Sequence, residues 1–186
     1  GQKMDLSGRN WSQESYIKAY QFAAKAHNGQ LVPGTDLPYI MHISLVSMEV
    51  IACLGIERQH DGNLAVQCAL LHDVIEDTGT AYEDVESEFG LEIAAGVLAL
   101  TKNAALAKDS QMQDSLQRIK QQPIEVWMVK LADRITNLAQ PPSHWDRGKI
   151  RQYWEEAIAV HQALQGASRY LSRRLETKIA EYRLYL

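Results

Sequence analysis

Asn63-Leu64-Ala65-Val66-Gln67-Cys68-Ala69-Leu70-Leu71-His72-Asp73-Val74-Ile75-Glu76-Asp77 carries apolar side chains at three- and four-residue spacing, with no alternation, and ends at Thr78-Gly79. That spacing predicts one helix over residues 63–77. Its last turns are unusual, because His72, Asp73, Glu76 and Asp77 interrupt a pattern that otherwise predicts burial. On a continuous helix His72 and Glu76 stand one turn apart, and so do Asp73 and Asp77, which makes two adjacent polar columns. Three carboxylates held close together repel and lose hydration unless a cation or hydrogen bonds compensate. The alternative is an ordinary helix end with exposed acids, but acids at a helix C-terminus oppose its dipole. A divalent metal is therefore the favoured compensation. Adjacent His and Asp side chains diverge by about 100° on such a helix, so an ion shared by both must sit between them.

The flanking sequence is helical too. Ser12 caps a helix to about His27, and Gly29, Pro33, Gly34 and Pro38 mark a loop. Further helices are expected from Tyr39 to Leu54, after a Thr80–Glu83 capping box, from Leu91 to Leu100, and from Gln111 to Gln122. Three more follow, over Ile124 to Leu138, Asp146 to Gln165, and Ser168 onward, while Thr101 to Ser110 is undecided. The expected fold is an all-α bundle of about eight or nine helices, with residues 1–11 as an N-terminal extension and 12–186 as one domain.

Composition narrows the function. Among 186 residues, 19 basic and 23 acidic side chains give a net charge of −4, with no Lys/Arg block. That argues against nucleic acid as a partner. Arg169, Arg173 and Arg174, interleaved with Glu176 and Glu181, read as a solvated helix face. No apolar run approaches the roughly 18 residues of a membrane span, and the start is polar, so a cytoplasmic location without membrane contact is expected. Cys53 and Cys68 lie in apolar helical patterns and read as buried free thiols. The oligomeric state is left open.

Two other positions extend the ligand set. His42 falls in the first turn of the second helix, where a lone His is usually structural. Asp133 shares a helix face with Lys130 and Asn137, opposite Leu131, Ile135 and Leu138, and an ion pair with Lys130 or Arg134 would explain it as well. Together His42, His72, Asp73 and Asp133 supply the mixed N/O donors that suit Mn, Fe, Zn or Mg.

The order His42, His72-Asp73, Asp133 resembles the HD-domain metal-dependent phosphohydrolases. The blocks Pro38-Tyr39-Ile40-Met41-His42, His72-Asp73-Val74-Ile75-Glu76-Asp77 and Lys130-Leu131-Ala132-Asp133-Arg134-Ile135-Thr136-Asn137-Leu138 are more specific. With Trp145 through Tyr153-Trp154-Glu155, they resemble the single-domain small alarmone hydrolases of the RelA/SpoT homologue family. The likeness spans about residues 12 to 170. It implies one Mn²⁺ held by His42, His72, Asp73 and Asp133, with Glu76 and Asp77 orienting or deprotonating the attacking water. It also implies a nucleotide substrate bound by Tyr39, Lys130, Asn137, Lys149 and Tyr153. The implied reaction is hydrolytic loss of the 3′-pyrophosphate of (p)ppGpp.

Two stretches depart from the family pattern. Gln30 is followed by Leu31-Val32-Pro33, where basic residues commonly lie against the purine. Lys102 to Lys108 is poorer in cations than usual. Adenine alarmones, or a phosphomonoesterase acting on nucleoside monophosphates or the 2′-phosphate of NADPH, are therefore alternatives. A module that binds a nucleotide without turning it over is another, although it would have no use for the Glu76/Asp77 pair.

Overall fold

A computed structural model describes residues 10–186, so most of the expected N-terminal extension lies outside the described residues. Asn10 and Trp11 are themselves tied to the domain. Asn10 Nδ2 donates to the His60 carbonyl at 2.7 Å, and the Ser12 N–H donates to Asn63 Oδ1 at 2.7 Å. This approach needs Gly62, since a Cβ there would lie 2.4 Å from the Asn10 carbonyl oxygen.

The described residues form α1 (Gln13–Ala26), α2 (Ile40–Leu54), α3 (Gly62–Leu71), α4 (Val74–Asp77), α5 (Tyr82–Phe89), α6 (Leu91–Leu100), α7 (Lys108–Ile119), α8 (Ile124–Asn137), α9 (Arg147–Leu164) and α10 (Arg169–Tyr182). All but α4 have at least eight residues, so the expected all-α architecture and helix count hold. Three caps expected or readable from sequence are present. Ser12, Asp146 and Ser168 accept the N–H groups of Ser15, Lys149 and Leu171.

Four details differ from the sequence reading. The helix expected over 63–77 breaks at His72-Asp73 into α3 and α4. The capping box shifts by one residue: Ala81 is the N-cap, and its N–H donates to the Asp84 carboxylate at 3.0 Å. Ala81 has no acceptor to return the bond, and Thr80 is engaged by the Thr78 hydroxyl at 2.9 Å. Helix α7 starts at Lys108, inside the undecided stretch. Finally, Arg174 is not simply solvated. Its Nε and Nη2 donate to the buried Glu49 carboxylate at 2.6 and 2.7 Å, fastening α10 to α2.

Helix α8 is the axle of the bundle. Val126, Met128, Val129, Leu131, Ala132 and Ile135 are all buried, so little of its surface faces water. It packs on α2, α3, α9 and α10. Cys53 and Cys68 are buried and unpaired by disulfides, as expected. Glu57 accepts from the Ser168 hydroxyl at 2.8 Å and the Tyr170 N–H at 2.9 Å, and so anchors the start of α10. None of the helices among the described residues is long and apolar enough to cross a membrane.

Candidate active site

The break between α3 and α4 places the first two donors. A continuous helix would splay His72 and Asp73 apart, but at the break His72 Nε2 lies 3.0 Å from Asp73 Oδ2. His72 Nδ1 meets the Ala69 carbonyl at 2.7 Å. A carbonyl only accepts, so Nδ1 carries the proton and Nε2 is turned inward as the donor to an ion. The local unwinding thus exchanges a helical turn for a fixed tautomer.

His42, in the first turn of α2, supplies the second imidazole. Its Nε2 is buried, 3.0 Å from Asp133 Oδ1 and 3.5 Å from Asp73 Oδ2, yet neither oxygen stands in hydrogen-bond geometry to it. Asp133, from the middle of α8, also lies 3.3 Å from His72 Nε2. One donor atom from each of His42, His72, Asp73 and Asp133 falls within 4.8 Å of the others. An orphaned imidazole nitrogen facing two carboxylates, with a second imidazole of fixed tautomer, fits a divalent cation. The four residues can hold a metal ion.

Without an ion, protons take its place. Burial opposes charge on His42, but the Asp133 and Asp73 carboxylates prevail and push it up to about 9. Burial likewise opposes charge on His72, and the same two carboxylates hold it well above the ordinary imidazole value. Burial would raise both aspartates, but the imidazoles keep Asp73 and Asp133 below the usual carboxylate range.

Tyr39 closes one side. Its hydroxyl donates to Asp73 Oδ2 at 2.6 Å and approaches Asp77 Oδ2 at 3.4 Å, and burial together with these acids raises its pKa. Asp77 is pushed up to about 6 by burial, with the Asp73 and Glu76 carboxylates adding to it. Glu76 Oε1 accepts the Lys102 N–H at 2.7 Å.

These groups line an open-mouthed cavity over the His/Asp cluster. Of the residues singled out by sequence, Tyr39, His72, Asp73, Glu76, Asp77, Lys130, Asp133, Asn137 and Tyr153 line it, and His42 lies beneath. Lys149 does not. It projects from the exposed first turn of α9, with Nζ 5.3 Å from the centre of the Trp145 ring. Lys130 lies 3.9 Å from Asp133, and burial lowers its pKa. Arg134, the other partner considered for Asp133, turns instead to Glu156 at 3.7 Å and stacks 4.1 Å over the Tyr153 ring. Leu100, Lys102 and Arg134 complete the wall, and the sequence does not single them out as site residues. Lys102 carried only the signal of a cation in a variant loop, and Arg134 was masked by its apparent role as an ion-pair partner.

An HD domain matches residues 19–170. The guanosine-3′,5′-bis(diphosphate) 3′-pyrophosphohydrolase MESH1 of Homo sapiens is 30% identical over 165 residues, spanning 86% of this chain and 90% of that protein. The Danio rerio protein of the same name is 28% identical over 176 residues, spanning 89% and 92%. A solved structure described as "A metazoan ortholog of SpoT hydrolyzes ppGpp and plays a role in starvation responses" superposes with a TM-score of 0.79 at 27% identity, covering 92% of this chain and 97% of that one. The chain belongs to the HD-domain family and, within it, to the family of the MESH1 proteins.

Proposed function

We propose that residues 12–186 form a metal-dependent hydrolase that removes the 3′-pyrophosphate from guanosine 3′,5′-bis(diphosphate) and its relatives, with Mn²⁺ as the ion. The observation that carries this reading is one cavity with two chemistries. Its floor gathers the donors of His42, His72, Asp73 and Asp133, and its wall carries Glu76 and Asp77 together with Lys102, Lys130 and Arg134. The names of the human and zebrafish relatives agree with it.

When bound, the metal supplies a water of lowered pKa and a counter-charge for phosphoryl oxygens. The remaining work falls to the chain. Glu76 holds Oε1 on the Lys102 N–H, so Oε2 is the oxygen that receives the water proton. Asp77 stands beside Tyr39, whose hydroxyl holds Asp73 in place. The water oxygen bonds to the phosphorus attached at the 3′ oxygen, that P–O bond breaks, and the 3′ oxygen takes up the proton that Glu76 received from the water as pyrophosphate leaves. Lys102, Lys130 and Arg134 offset the charge of the departing group. Asn137, whose Nδ2 donates to Asp133 Oδ1 at 3.3 Å and which lines the cavity, is assigned to the nucleoside.

The loop before α2 supports adding adenine nucleotides to the test. Leu31 and Leu37 are 50% and 44% exposed, and no cation lies between Gln30 and Pro38. The experiment is a panel of guanine and adenine 3′-pyrophosphates plus NADPH, with Mn²⁺ and separate detection of pyrophosphate and orthophosphate. Release of pyrophosphate, abolished in Asp73→Asn and Glu76→Gln proteins, is expected. Orthophosphate as the product would turn the reading to a phosphomonoesterase. Intact substrates with manganese verified in the protein would overturn it.

A further inference from the structure

Helix α7 contributes no side chain to the cavity, yet it reaches the site through a single peptide group. Helix α6 ends at Leu100, leaving its last carbonyls without helical donors. Arg118, on α7, satisfies them. Its Nη1 donates to the Leu98 and Ala99 carbonyls at 3.0 and 3.3 Å, and its Nη2 donates to the Thr101 carbonyl at 2.8 Å. Asp114, one turn earlier, accepts from Nε at 2.9 Å and fixes the plane of the guanidinium.

The Thr101 carbonyl and the Lys102 N–H are the two ends of one planar amide. One end accepts from Arg118 at 2.8 Å, and the other donates to Glu76 Oε1 at 2.7 Å. Rotating that peptide breaks both bonds together. A cation on its oxygen also polarises the amide and strengthens its N–H as a donor.

We propose that Arg118 is a positioning residue for Glu76, acting through the Thr101–Lys102 peptide. It rests on the reading of Glu76 as the group that takes the water proton. Arg118 sets which carboxylate oxygen is tied down and which is left for water, and the same contact sets where the Lys102 side chain enters the cavity wall.

The test uses Arg118→Met, Arg118→Lys and Arg118→Gly proteins loaded with Mn²⁺. In Arg118→Met, kcat falls about ten- to a hundred-fold, as loss of a hydrogen bond from a charged donor predicts, while KM and bound manganese stay within about two-fold. Guanidinium at millimolar concentration restores kcat in Arg118→Gly, because Arg118 is partly exposed and its seat is open to solvent. Arg118→Lys recovers little, lacking the fork. A readout independent of turnover is exchange of the Lys102 amide hydrogen. It is slow in the unaltered protein and speeds up in both Arg118→Met and Glu76→Ala. If no nucleotide is turned over at all, the proposed reaction fails, and the amide still reports on the relay. Unchanged Lys102 protection in Arg118→Met overturns the proposal, as does a kcat loss that guanidinium leaves untouched.

Discussion

Metal uptake by this site should expel protons, and the number follows from the geometry. In the ion-free protein His42 titrates near 9 and His72 well above its usual value, because Asp73 and Asp133 face both Nε2 atoms. At pH 7 a group of pKa about 9 is protonated roughly a hundred to one, and a metal must displace that proton before it can bind. His72 keeps its Nδ1 proton on the Ala69 carbonyl throughout, so only the Nε2 proton is exchanged. Close to two protons should leave per ion at pH 7. Apparent affinity should rise close to tenfold from pH 7 to pH 8 through the His42 proton, and further through that of His72. Calorimetric titration with Mn²⁺ in buffers of different ionisation heat measures the protons directly. The sign for stability follows as well. The folded imidazole pKa exceeds the unfolded value of about 6.5, so the ion-free fold draws its full contribution below that pH and loses it as pH rises through about 9. The Tm of ion-free protein should therefore fall between pH 7 and 9, and that of manganese-loaded protein should not. Release of fewer than about half a proton per ion at pH 7, or an affinity flat from pH 7 to 8, would refute the assignment of the four donors to one ion.

Other expectations concern the scaffold and the acids. Arg174→Met should destabilise the protein by about 3 kcal/mol, because it strands the Glu49 carboxylate, which is only 3% exposed. Glu49→Met should cost less, since the Arg174 side chain is 41% exposed and can turn to water; urea denaturation with equal or reversed losses would contradict this. Gly96→Val should cost about 2 kcal/mol through overpacking, because a Cβ there meets Cys68 Sγ at 2.9 Å and Val126 Cγ2 at 3.0 Å; an unchanged Tm would count against that packing. In ion-free protein the Asp77 carboxyl carbon should titrate near 6 by NMR and move down in Asp73→Asn, which removes a repelling charge.

Most of the architecture was legible because each helix carries its own punctuation. Ser12, Gly55, Pro123, Asp146 and Ser168 mark boundaries within a residue or so of those observed. The candidate donors were legible in part: His72 and Asp73 interrupt a pattern that predicts burial, whereas His42 alone reads as a structural histidine and Asp133 as an ion-pair partner on a polar helix face. Their convergence was not. Periodicity assumes an unbroken helix through residue 77, and the contact that breaks it, the imidazole of His72 on the Ala69 carbonyl, leaves no trace in spacing. Arg174 illustrates the same limit. Its neighbours look solvated, and only the fold reveals that Glu49, 125 positions earlier, waits for it in the core. Lys149 shows the reverse, a cation with suitable neighbours in sequence that lies over Trp145 and is not among the residues lining the cavity.

Because α2 and α8 each carry a donor as well as core residues such as Ile43 and Leu131, and the core helix α3 runs directly into His72 and Asp73, spine and reactive centre are a single object. A sequence drifting under selection has little room there, since repacking any of the three helices would move a donor. The segments before α2 and after α6 carry no such double duty. Novelty in what this scaffold accepts is cheapest to acquire in those two borders.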